Sequence, residues 1–251
     1  VIRYTRENSI KELPDLIKKT DSIIHLAGEN RPSDDKYFDT VNAGLTESIC
    51  RVVRSAGRTI PLILASSIQT SLDNAYGKSK LDAETIVKRL ESDIGNPVYI
   101  YRLPGVFGKW CKPNYNSVVA TFCHNISHDL PIRISDPSVE LNLVYIDDVV
   151  EEFIKTIQGP QNSKKQCAVQ PEYKIKLGHL AKKINLFRES RGSLISEKVG
   201  NGVTSKLYST YVSYFSPKQF VYSIPSYGDE RGVFVEMLKT KDSGQFSFFT
   251  A

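Results

Sequence analysis

The chain has 251 residues, 40% hydrophobic and 24% charged, with 33 basic against 28 acidic side chains and a net charge of +5. That length buries the core of one large domain or two small ones, and the mild, interspersed charge excludes a nucleic-acid stripe. No apolar run approaches the ~18 residues of a membrane span, and Cys50, Cys111, Cys123 and Cys167 form no C-x-x-C pair, which fits reduced thiols in a cytoplasmic protein rather than a zinc site.

The chain opens on Val1 and its one methionine is Met237, so the natural N-terminus is expected upstream. Residues 1–4 predict a strand. Ile10, Leu13, Leu16 and Ile17 recur at helical spacing over 9–19, with Pro14 suited to the first turn. Residues 22–27 read as a continuous apolar strand closed by Gly28. The stripe Phe38, Val41, Leu45, Ile49 and Val52 predicts a long amphipathic helix over 35–56. A strand is expected over 60–65, a helix over 76–90 and a strand over 97–102. Then follow a helix over 116–126, a short strand over 143–146, and a helix over 147–157 capped by Asp147 or Asp148. A strand over 167–169 and a helix over 177–187 complete the series. Strands alternating with helices predict an α/β fold with a doubly wound parallel sheet. Ligands of such sheets bind at the carboxyl ends of the strands. Those ends are Ala27 with Gly28, Ser66 with Ser67, and Arg102 to Pro104, so three segments aim at one crevice.

Tyr76 and Lys80 stand four apart on one helix face, just after the serines. An ammonium favours a phenolate, so Lys80 is expected to lower the pKa of Tyr76 from its usual ~10. With Ser67 hydrogen-bonding the same substrate oxygen, the trio can pass a proton to or from an oxygen whose carbon exchanges hydride. A Tyr-x-x-x-Lys pair alone is weak evidence. Tyr214 and Lys218 repeat it, but Pro217 argues against a helix interior there. His25 reads as a satisfied core histidine. Lys18, Lys19, Lys182 and Lys183 read as solvated helix faces.

Taken together, several pieces resemble the extended short-chain dehydrogenase/reductase family over residues 1–190. They are His25, Leu26, Ala27 and Gly28; Asn42; Ser67, Tyr76 and Lys80; the run from Arg102 to Gly108; and the run from Val144 to Asp148. The resemblance implies a Rossmann-type domain acting on a nucleotide sugar, with Ser67, Tyr76 and Lys80 catalytic. It implies cofactor contacts from Leu26, Ala27, Gly28, Asn42, Ser66, Tyr76, Lys80, Arg102 and Pro104, the asparagine supporting a proton relay around the lysine. Ser67 and Gln69 are expected to touch the substrate. The family's dehydratases carry an Asp-Glu pair where Ile68 and Gln69 stand, so dehydration is not expected. A ketone reductase and a 4-epimerase share the remaining residues. A non-catalytic dinucleotide binder of the same fold would have no need of an intact Tyr76.

Within the family, the run from Lys109 to Ser117 and the run from Ser66 to Gln69 are similar to those of bifunctional enzymes of capsular-polysaccharide synthesis. There a reductase domain precedes a metal-binding cupin domain. This likeness implies reduction of the C4 ketone of a UDP-2-acetamido-2,6-dideoxy-hexulose toward UDP-N-acetyl-L-fucosamine. Lys109, Lys112, Asn114 and Asn116 become substrate contacts, and a homodimer is expected. The stretches 229–234 and 244–247 look like opening cupin strands. The implied organisation is a reductase domain over 1–190, a connecting segment over 191–226 and the start of a cupin-like domain over 227–251. Two departures stand out. No Gly-rich turn precedes Gly28, so the sheet is expected to lack its first central strand. The tail holds no histidine, so no metal is expected in this chain, and zinc belongs to a cupin part beyond Ala251. NAD binders place an acid at the end of the second strand. Here Arg3 and Arg6 stand there with no acid before Glu7. A guanidinium suits a 2′-phosphate, so NADPH is expected over NADH, with Arg3 or Arg6 as the contact.

Overall fold

The computed structural model describes residues 1–30, 32, 34, 36–159 and 167–250. They fall into two compact units, Val1–Pro104 with Asp148–Pro171, and Gly105–Asp147 with Glu172–Ala251.

In the first unit a turn capped by Ser9 leads into α1 (Leu13–Lys18), with Pro14 in the first turn, where a missing N–H costs nothing. Next come β1 (Ile23–His25), α2 (Lys36–Phe38), a π-helix (Asp39–Gly44) and α3 (Leu45–Ser55). After β2 (Leu62–Ser67), α4 (Ala75–Ile94) starts at an Asn74 cap and ends at Gly95 in the left-handed region, φ +66°. β3 (Val98–Leu103) closes a parallel sheet ordered β1-β2-β3. β2 is the middle strand, and Leu62, Ile63 and Leu64 are all buried, as a parallel strand covered on both faces requires. Leu64 packs with Leu62, Val53, Ile49, Val87 and Leu90 in one cluster. Leu64→Ala should therefore cost ~2–5 kcal/mol, read as a lower urea midpoint at unchanged slope.

Two expectations change here. Residues 1–4 form no strand: the parallel sheet starts at β1, and Val1 and Ile2 are exposed with no neighbouring strand to pair with. The helix expected over 35–56 is two α-helical segments on either side of a π-turn, and Asp35 lies outside the described residues.

In the second unit β4 (Gly105–Phe107) pairs in parallel with β5 (Glu140–Tyr145). α5 (Val118–Ser127) lies between them in sequence, capped by the Ser117 hydroxyl. α6 (Ile146–Gln158) starts in this unit, and its later turns belong to the first, where Phe153 packs on Tyr101 with ring centres 4.9 Å apart. β6 (Tyr173–Lys176) runs antiparallel to β5 and leads into α7 (Leu177–Ser193). α8 (Gly202–Val212) follows. Phe107, Phe122, Tyr145, Leu180, Ile184, Leu207 and Tyr211 fill the core between these elements. β7 (Ser226–Asp229), β8 (Gly232–Lys239) and β9 (Gln245–Thr250) form an antiparallel sheet. Lys239 ties it to the end of α7 by exchanging backbone bonds with Leu194 and Ser196 at 2.8 and 2.9 Å.

The strand expected over 167–169 is absent, and its place is taken by antiparallel β6. The expected single parallel sheet is thus two sheets. Pro104 ends the first because it has no N–H to continue a ladder. The segment 191–226 is more than a connection, since α8 contributes Leu207 and Tyr211 to the core. Tyr214 lies past the end of α8, and Pro217 opens a short 3₁₀ turn, so that Tyr-x-x-x-Lys copy is no helix pair.

Candidate active site

β2 ends in Ala65, Ser66 and Ser67, and α4 carries Tyr76, Lys80 and Glu84 one per turn. Each turn faces one of the three strand residues. The Ser67 hydroxyl lies near enough to the Tyr76 phenol to favour its ionised form. Lys80 Nζ donates to the Ala65 carbonyl at 2.7 Å. Glu84 accepts from Ser66 Oγ at 2.6 Å. The Asn74 cap accepts from the Gly77 N–H at 2.7 Å and starts the helix where Tyr76 is needed.

The π-turn brings Asn42 into the same place, and such turns favour functional sites. Asn42 is buried; its Oδ1 accepts from the Glu29 N–H at 2.7 Å and its Nδ2 donates to Ser79 Oγ at 2.9 Å. Ser79 in turn donates to the Tyr76 carbonyl at 2.9 Å. At Gly28 a Cβ would stand 3.2 Å from Asn42 Oδ1 and 3.6 Å from Lys80 Nζ. A strand-end glycine, the asparagine and the lysine thus close on one point. Bare backbone there leaves room for a ligand against the ammonium, so these residues fit a nicotinamide dinucleotide.

The electrostatics correct one expectation. Burial pushes the Tyr76 pKa up, and the neighbouring Ser67 hydroxyl opposes the rise. Burial likewise pulls the Lys80 pKa down, against the Glu84 charge. The expected lowering of Tyr76 is thus outweighed: its net shift is upward, with burial the largest cause.

His25 is the core histidine expected of it. Thr46 Oγ1 donates to the Asn42 carbonyl at 2.5 Å, so at 2.9 Å it must accept from His25 Nε2–H. Burial, then the Lys80 charge, pushes the His25 pKa from 6.5 down to about 4. The unfolded chain therefore takes up a proton below its pKa of 6.5 that the folded chain refuses until about 4. The stability from neutral His25 is full above that window and falls as pH drops through it, by up to ~3 kcal/mol. Urea midpoints at about pH 7 and about pH 5 should show the loss, and His25→Gln should flatten it.

Sequence reasoning missed Glu84 and Ser79. Glu84 is 1% exposed and takes the Arg102 fork at 2.9 and 2.7 Å. Burial pushes its carboxyl up, but the bonds from Arg102 and Ser66, with the charges of Arg102 and Lys88, hold it below the usual range. The available signal was the four-residue repeat Tyr76, Lys80, Glu84, Lys88 continuing into the face that carries Ala83, Val87 and Leu90. Ser66 and Arg102, expected as cofactor contacts, are both bonded to Glu84.

Leu26, Ala27 and Gln69 are exposed beside the site, and Pro104 is half-buried. Arg3 is exposed, and Arg6 pairs with Glu29 at 3.0 Å. Lys109, Lys112, Asn114 and Asn116 belong to the second unit. There Lys109 pairs with Asp147 at 2.9 Å and lies 5.6 Å from the centre of the Trp110 ring. Lys112 stands 5.3 Å from the Tyr115 ring centre, Asn114 has φ +53°, and Asn116 is exposed. Among the described residues no helix is long and apolar enough to cross a membrane, and no three His, Cys, Asp or Glu side chains are grouped to hold a metal ion.

The pattern of the NAD dependent epimerase/dehydratase family matches residues 2–170. The chain is 54% identical over 251 residues to the UDP-2-acetamido-2,6-beta-L-arabino-hexul-4-ose reductase of Pseudomonas aeruginosa, covering 100% of this chain and 68% of that protein. It is also similar to the capsular polysaccharide assembling protein CapF of Staphylococcus aureus, at 40% identity and a TM-score of 0.87 over 96% of this chain and 66% of that one. A UDP-glucuronic acid 4-epimerase of Bacillus cereus shares the fold, at 16% identity and a TM-score of 0.68 over 85% of this chain and 80% of that one. The chain thus spans about two thirds of the length of the reductase and of CapF.

Proposed function

Because the chain belongs to the NAD dependent epimerase/dehydratase family, we propose that the protein carrying it reduces the C4 ketone of a UDP-2-acetamido-2,6-dideoxy-hexulose. The observation that carries this reading is Lys80 Nζ, held at 2.7 Å by the Ala65 carbonyl and beside Asn42 at bare Gly28, on the α4 face that carries Tyr76 near Ser67. A reduced nicotinamide dinucleotide supplies hydride when bound. Gly28, Asn42 and Lys80 are the residues that would hold it. Tyr76, kept protonated by burial, donates its proton to the ketone oxygen. Ser67 hydrogen-bonds that oxygen and fixes the carbonyl. Lys80 places positive charge beside the phenol as it gives up its proton. The likeness to the Pseudomonas reductase supports the substrate class.

The finer assignments rest on resemblance. They are a route to UDP-N-acetyl-L-fucosamine, a cytoplasmic homodimer, substrate contacts from Gln69, Lys109, Lys112, Asn114 and Asn116, and a zinc-binding cupin continuing from 227–251. Mixing the full-length protein with NADPH and a UDP-linked 4-keto sugar should consume the reduced cofactor stoichiometrically. An epimerised product with no net oxidation of cofactor would replace the reductase with an epimerase. NADPH preference is assigned to Arg6, with Arg3 the alternative. Arg6→Ala should weaken NADPH binding by about tenfold, the scale of one charge-assisted bond, and leave NADH binding unchanged. Tighter binding of NADH by the unmodified protein would refute that preference.

A further inference from the structure

We infer that Glu84 is a positioning residue for the Ser67, Tyr76 and Lys80 site, fixing the rotation of α4 against the end of β2. The inference rests on the reductase reading for its kinetics, and on geometry alone for the rest.

A carboxylate 1% exposed is costly unless it is paired and hydrogen-bonded. Glu84 meets that demand with hydrogen bonds from groups on the floor of the site, and Lys88 adds a longer ion pair at 3.7 Å along the helix. Its Oε1 accepts from Ser66 Oγ at 2.6 Å and from Arg102 Nε at 2.9 Å, and its Oε2 accepts from the other arm of the Arg102 fork at 2.7 Å. Ser66 and Arg102 are register partners on β2 and β3. Glu84 therefore clamps two neighbouring strands, at their carboxyl ends, to one turn of α4. The preceding turn carries Lys80, bonded to Ala65, and the one before it carries Tyr76, beside Ser67. A helix is stiff over two turns, so any rotation that loosens Glu84 swings both of them off their strand partners. Around Lys80 stand Tyr76 and Glu84 from α4, neutral His25 from β1, Asn42 from the π-turn and the Ala65 carbonyl. Glu84 is the acid whose charge offsets the burial of Lys80.

The test is Glu84→Gln in the full-length protein. It keeps the shape and the Ser66 bond, removes the charge and turns an amide N–H toward the Arg102 fork. Turnover should fall by about 100-fold, the effect of a misplacement near 1 Å, with the Michaelis constant for the ketone nearly unchanged and that for the dinucleotide raised as Lys80 shifts. The alkaline limb of the kcat profile should move to lower pH, because Lys80 then loses its proton more readily. Adding Arg102→Met removes the stranded guanidinium; if that double variant regains full turnover, Glu84 is merely structural and the inference fails. Should Glu84→Gln not fold, Ser66→Ala leaves the Glu84–Arg102 pair intact and should lower turnover by about fivefold to tenfold, and unchanged turnover overturns the inference. A separate measurement needs no substrate. The ε-¹³C signal of Lys80 should titrate at lower pH in Glu84→Gln than in the unmodified protein, and an identical titration overturns the inference. That titration decides the role of Glu84 even if the unmodified protein reduces no 4-keto sugar nucleotide, a result that would overturn the reductase reading alone.

Discussion

On the proposed reading, Tyr76→Phe should lower ketone-reduction turnover of the full-length protein by ~100- to 10,000-fold and leave dinucleotide affinity nearly unchanged. The change removes one hydroxyl, the group beside Ser67, and keeps the ring that meets Phe38 edge-on at 5.9 Å. The helix therefore has no reason to move, and the loss reads the proton donor alone. Stopped-flow turnover beside a cofactor titration checks it. Lys80→Ala should behave differently, losing turnover and cofactor affinity together, because Lys80 shares the helix face of Tyr76 and its Nζ lies by the bare backbone at Gly28. Full turnover in Tyr76→Phe would sink the mechanism. A parallel loss of cofactor binding in both variants would point to disruption of α4.

Gly77→Ala, next to the tyrosine, should remove most activity by a different route and lower the thermal midpoint as well. A Cβ there would stand 2.2 Å from the Gln69 carbonyl oxygen and 2.9 Å from that of Leu72. Both obstacles are backbone, so no side chain can swing aside. Either the 3₁₀ turn Ile68–Ser71 or the first turn of α4 has to move. Overpacking of this kind costs ~1–3 kcal/mol. A shift near 1 Å at Tyr76 would take about 100-fold from turnover. Gly192→Ala is the matched control: it lies inside α7, a Cβ there meets nothing within 4 Å, and the change should stabilise by ~0.5–1 kcal/mol. Equal thermal midpoints for the two variants would refute the steric account.

The sequence by itself determined the class of fold and the address of the site. Apolar runs alternating with amphipathic stripes set strands against helices, and a four-residue spacing put Tyr76 and Lys80 on one face. Both follow from periodicity, which is a property of local backbone geometry. Two strand ends were legible for the same reason, since Ser67 and Arg102 close paired β2 and β3, whereas β1 stops at His25, short of Gly28. Only the tertiary structure decided what each polar group bonds. Lys80 reaches the Ala65 carbonyl, and Tyr76 is raised by burial, where the spacing suggested a lowered phenol. Ser66 and Arg102 serve Glu84, a residue that local sequence marks as one more charge on a helix. The strand expected over 167–169 gave way to β6, whose direction depends on β5, a partner about thirty residues earlier in the chain. Hydrogen-bond partners, burial and pKa shifts are properties of neighbours through space, and spacing along the chain carries no record of them once the partner lies on another element.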